Sequence, residues 1–230
     1  MRSCLFIIFF SFLTICCFAQ DTVSHRNRLS DSVTEHYYVL KSNREIKQGP
    51  YLVWLKHKVL LVRGHYENGQ KNGVWQFFDT EGKLAEKYDY DKKAFTYEAP
   101  LYASADFSYL FDVPFKIGDR VTRPLKVGGI YFGFIPYLNL FQCPFDPEEV
   151  NTDTFEANIE LLISPLGRLA DYRVRLTSAI YEYDHIFHMD INLFSLEDRI
   201  FRPATLNGEP VMSRIIIKCY VSPFGKLDFY

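Results

Sequence analysis

The sequence predicts an α+β protein, and three observations carry that expectation. Aromatic and polar residues alternate on both sides of Asn68-Gly69, a hairpin signature because both central positions of the tight turn need positive φ. Residues 170–176 set Tyr172, Val174 and Leu176 against Asp171, Arg173 and Arg175, the period-two pattern of a strand with one buried face. Residues 183–199 place Ile186, Phe187, Ile191 and Phe194 at mixed three- and four-residue spacings, which predicts an amphipathic helix. The composition permits such a core: 48% of the 230 residues are hydrophobic, with 21 Phe and 16 Tyr, and aromatics favour β-structure. Twenty-six basic against 28 acidic residues leave a net charge of −2, which argues against nucleic-acid binding by phosphate neutralisation.

Taken in order, residues 1–20 begin with Met1-Arg2-Ser3, continue as an apolar run from 4 to 18 and end on Phe18-Ala19-Gln20. That is the order of a secretory signal peptide, cleaved near Ala19-Gln20. Export to the periplasm or beyond would leave Cys143 and Cys219 as the mature chain's cysteines. In an oxidising compartment these are a candidate disulfide, against the alternative of two small buried side chains.

Residues 21–97 form the first expected module. Gly49-Pro50-Tyr51-Leu52-Val53-Trp54 recurs 24 residues later as Gly73-Val74-Trp75-Gln76-Phe77-Phe78, with Leu60 falling on Leu84 and Tyr66 on Tyr90. Short strands with alternating aromatics predict an antiparallel meander. The stretch resembles the variant MORN repeats of bacteria, most closely in Asn68-Gly69-Gln70-Lys71-Asn72-Gly73-Val74-Trp75. The first unit departs from the pattern: Lys56-His57-Lys58 stands where an Asn-Gly turn is expected. The resemblance implies a structural or interaction module. Its aromatics either stack within the sheet or present a surface to lipid or sugar.

Residues 98–124 read as a connecting segment, and the prolines from Pro100 to Pro147 argue against long regular elements there and beyond. Within 125–230 the predicted order is strand (157–164), a turn at Pro165-Leu166-Gly167-Arg168, strand (170–176), helix (183–199), a turn at Leu206-Asn207-Gly208-Glu209, and a last strand (212–221). This domain resembles the C-terminal domain of TonB-type energy transducers. The resemblance rests on Phe201-Arg202-Pro203-Ala204-Thr205-Leu206-Asn207-Gly208-Glu209-Pro210-Val211, with Gly128-Gly129 upstream. Cys143-Pro144 departs from the family's Tyr-Pro pair, and the helix region carries unusual aromatics, His185 and His188.

The resemblance implies a partner, an extended peptide of an envelope protein such as an outer-membrane receptor, added alongside the last strand. Arg214, Ile216, Lys218 and Tyr220 are then the candidate partner-binding residues. A homodimer over the same strand, and a structural self-assembling protein without a captured ligand, are the alternatives. An uncleaved N-terminus would make the chain an inner-membrane-anchored transducer instead. No enzymatic activity, cofactor or metal is expected. His185 and His188 would neighbour one another on a helix, but no third ligand follows from the sequence, and no Gly-x-Ser-x-Gly elbow occurs.

Overall fold

A computed structural model describes residues 21–100 and 106–229. The expected signal peptide, residues 1–20, lies outside the described residues. Seven strands come first: β1 (Thr22–Arg28), β2 (Val33–Leu40), β3 (Lys47–Leu55), β4 (Val59–Glu67), β5 (Gln70–Phe78), β6 (Leu84–Asp89) and β7 (Ala94–Glu98). The chain continues with β8 (Phe107–Phe111), β9 (Val121–Thr122), the short helix α1 (Ile135–Leu140), β10 (Glu156–Ile163), β11 (Leu169–Ser178) and β12 (Tyr183–His188). It ends with β13 (Ala204–Leu206), β14 (Glu209–Val211), β15 (Ser213–Val221) and β16 (Leu227–Phe229).

Strands β1 to β7 pair in sequence order as an antiparallel meander. Asn68-Gly69 turns between β4 and β5 with φ of 50° and 81°, as a two-residue primed turn requires. A bulge or register shift interrupts every pairing from β2–β3 to β6–β7, and bulges increase strand twist. A row of rings crosses the sheet: His25 on Tyr37, Tyr37 on Tyr51, Tyr51 and Tyr66 on Trp75, Trp75 on Tyr90, and Tyr88 on Phe95. Tyr51 and Trp75 are buried. Lys47 lies 4.2 Å from the Tyr37 ring and Lys71 5.0 Å from the Tyr90 ring. The aromatics therefore stack within the sheet, and the two lysine stems cover part of the row.

The second sheet has the order β12-β11-β10-β15-β16, with β8 also pairing β15. A third, small sheet sets β13 between β14 and β9. Residues 127–141 bridge the two large sheets. Phe132 stacks on Phe77 of the meander, while Tyr131 and Phe134 pack on Phe107, and Tyr131 also packs on Phe229. One hydrophobic cluster runs through both sheets, from Val53 and Trp75 to Ile159, Val174 and Ile217. The β1–β2 turn docks on the far end through Asp228. This fully buried carboxylate accepts hydrogen bonds from the Ser32 amide and hydroxyl at 3.0 Å each, from the Ser30 hydroxyl and from the Phe229 amide.

The fold is all-β rather than α+β. The expected strand-strand-helix-strand core is overturned at residues 183–199, which form β12 and two short 3-10 turns, Ile191–Leu193 and Glu197–Arg199. The three- and four-residue apolar spacing competes there with an alternation that wins. Tyr183, His185 and Phe187 face the core side, where Phe145 and Phe141 meet Tyr183 and Phe187. Asp184 faces out and is forked by Arg175 of β11 at 2.6 and 2.9 Å. Tyr, Ile, Phe and His suit a pleated, half-buried surface, and pairing along β11 outweighs the weak helical spacing. The Asn207-Gly208 turn is present, with φ of 53° and 91°, but it closes the β13–β14 hairpin against β9.

Candidate binding edge

The four residues expected to take a partner strand lie on β15. Their side chains share its outward face, with Arg214 ion-paired to Glu160 at 3.0 Å, Ile216 and Tyr220 half-buried and Lys218 exposed. The backbone of β15 is engaged on both sides. Residues 213–220 pair with β10, 213–217 pair on the other side with β8, and 219–221 pair with β16. The Lys218 amide, between those two neighbours, donates to the Asp106 carbonyl at 2.8 Å. A partner strand could reach the β15 backbone only if β8 and β16 left the sheet.

β12 is one edge of this sheet, and β8 and β16 form the other. The register of β12 against β11 runs from Ser178↔Tyr183 to Arg173↔His188, and one position further the Met189 amide donates to the Tyr172 carbonyl at 2.9 Å. Hydrogen-bonded and non-hydrogen-bonded pairs alternate in an antiparallel ladder. Tyr183, His185 and Phe187 therefore turn their backbone groups toward β11, while Asp184, Ile186 and His188 turn theirs away from it. Unpaired edge groups of this kind are a template for another strand. The segment also exposes apolar side chains: Ile186 is 43% exposed, and Ile180, Leu193 and Leu196 around it more so. Arg175 holds the Asp184 carboxyl below the usual carboxylate range through its hydrogen bonds and charge, which keeps that residue ionised and oriented on the outer face.

His185 and His188 fall on opposite faces of β12, because a three-residue offset on a strand reverses direction whereas on a helix it does not. No group of three or more metal-ligating side chains gathers among the described residues. Cys143 and Cys219 are both buried and free, and burial pushes both thiols up. Cys219 sits on the inward face of β15, and the Cys143 amide donates to the Gly225 carbonyl at 2.7 Å.

Sequence reading missed β12 as an edge because residues 183–199 read as a helix. The available signal was the alternation of Tyr183, His185 and Phe187 with Asp184, Ile186 and His188. No helix among the described residues is long and apolar enough to cross a membrane. No family model, curated protein or solved structure matches the chain.

Proposed function

We propose that this chain is a non-catalytic protein-binding module of the cell envelope, periplasmic or secreted, that captures an extended segment of a partner by strand addition to β12. The observation that carries the reading is the outward backbone of Asp184, Ile186 and His188 on an edge flanked by exposed apolar side chains. Main-chain pairing supplies the affinity in this mode, and alternate side chains select the partner. The Arg173, Arg175 and Arg214 face beside the edge, salted with Glu160 and Asp184, offers both charges for that selection. The n-, h- and cleavage-region order of residues 1–20 supports export. The MORN-like meander, docked through Ser30, Ser32 and Asp228, acts as the scaffold.

The test exploits the ladder. Proline at 186 deletes an amide that faces away from β11, a position where edge strands accept proline; proline at 185 deletes a ladder donor and breaks the sheet. Photo-crosslinking from position 186 in envelope fractions is expected to give a discrete adduct that is lost when proline replaces Asp184 or His188 in a folded chain. An adduct indifferent to those prolines overturns strand addition. Concentration-dependent mass with no adduct favours self-assembly instead. The intact mass of the protein from fractionated cells tests export: loss of about twenty residues is expected, and a full-length chain in the inner membrane contradicts it.

A further inference from the structure

The β3–β4 turn is built at odds with its sequence. The Lys58 amide donates to the Leu55 carbonyl at 2.9 Å, closing a two-residue turn with Lys56 and His57 at its centre. Both hold positive φ, 48° and 57°, a conformation that side chains bearing a Cβ rarely adopt. The equivalent turns at Asn68-Gly69 and Asn207-Gly208 use the residues suited to it. Lys93 and Glu182 also hold positive φ, but here two consecutive non-glycine residues do so, and strain kept at a turn directs attention to what its side chains do. Lys56 and Lys58 are exposed, and neither ammonium pairs with a carboxylate among the described residues.

Beneath this turn lies a cavity of about 280 Å³ lined mainly by Val33, Leu55, Val59, Leu61, Tyr131 and Phe229, with Thr80, Lys56 and Lys58 also on its wall. It lies where the meander meets the second sheet. An apolar cavity of about 150 Å³ accepts a benzene, so this one has room for on the order of ten carbons. We propose that the cavity binds a single-chain amphiphile with an anionic head, a medium-chain fatty carboxylate: the acyl chain fills the apolar slot and the carboxylate sits between the Lys56 and Lys58 ammonium groups. The charge complementarity comes from two uncompensated cations at an apolar opening, the arrangement in which a few polar groups fix a ligand's orientation. This site is separate from β12, and its test does not depend on partner capture.

The experiment is calorimetric titration of the full mature chain with decanoate, decanol and inorganic phosphate, each below micelle formation. Decanoate is expected to bind saturably at one per chain. Lys56→Gln/Lys58→Gln is expected to weaken decanoate on the order of tenfold, the weight of two partly screened charge contacts, while leaving decanol unchanged. Val59→Phe is expected to weaken both, with its melting curve certifying the fold. Decanoate binding that is absent, unsaturable or indifferent to the lysine changes overturns the proposal. Phosphate binding as tight as decanoate also overturns it, because the acyl slot would then contribute nothing.

Discussion

Gly64 gives the sharpest test of how the meander is packed. A Cβ built on it would lie 2.2 and 2.3 Å from two indole carbons of Trp75, a fully buried side chain whose indole N–H donates to the His65 carbonyl at 3.3 Å. Gly64 does not hold a positive φ, so the cost of Gly64→Ala is steric rather than conformational. Restoring an ordinary carbon contact of about 3.5 Å requires the indole to move by roughly 1.3 Å. It cannot move freely, because Tyr51, Tyr66, Phe77 and Tyr90 surround it at ring-centroid distances of 5.2 to 6.4 Å. Overpacking of this kind costs about 1–3 kcal/mol, and the rigid surroundings place Gly64→Ala near 3 kcal/mol. Urea unfolding followed by tryptophan fluorescence is the assay, with a melting temperature lower by about 6–12 °C as the thermal counterpart. Trp75→Leu is expected to be destabilising alone, and the double variant less so than the sum, since the smaller side chain leaves room for the methyl group. Gly64→Ala within about 0.5 kcal/mol of the parent, or strict additivity, would refute this account of Gly64.

Two further outcomes follow from buried carboxylates. Glu86 is buried under the 123–130 segment and accepts the Gly128 amide at 3.0 Å; burial, opposed by that hydrogen bond and by Arg123 and aided by Glu98, lifts it to about 7 from 4.5. Because the folded value is the higher one, its stabilising contribution is complete below about pH 4.5 and is lost as pH rises through 7, a change on the order of 3 kcal/mol. Glu86→Gln is expected to flatten that part of the stability profile and to exceed the parent at pH 8; an unchanged profile contradicts the burial argument. Asp228→Ala strands the Ser32 and Phe229 amides and two hydroxyls, and is expected to cost about 3 kcal/mol in urea unfolding and to speed proteolysis at the β1–β2 turn. Asp228→Asn should cost less, and a silent Asp228→Ala would show that the clamp does not hold the two sheets together.

The meander was legible because its signals are local. Asn68-Gly69 specifies a turn by backbone sterics alone, and Tyr51 and Trp75 recur at a fixed 24-residue offset, as do Tyr66 and Tyr90. The 170–176 alternation likewise locates β11. Residues 183–199 were misread because Ile186, Phe187, Ile191 and Phe194 satisfy helical spacing, while the competing alternation over six residues draws its strength from β11, a neighbour that periodicity does not reveal. The position of β15 was hidden for the same reason. Three isoleucines, Ile215, Ile216 and Ile217, announce a strand, but nothing local says that β8, from the proline-punctuated connecting segment, and β16 will occupy its second edge. The Lys56-His57-Lys58 departure was visible, whereas the cavity beneath it depends on Tyr131 and Phe229, distant in sequence.

The central claim is that β12 offers its backbone to a partner, and residue-resolved hydrogen exchange tests it most directly. In the free chain the amides of Asp184, Ile186 and His188 are expected to exchange rapidly, while His185, Phe187 and residues 213–217 of β15 are protected. On partner binding the three outward amides are expected to become protected, with β15 unchanged. Protection that leaves β12 untouched, or opening of β8 and β16 that exposes β15 to the partner, would contradict the account.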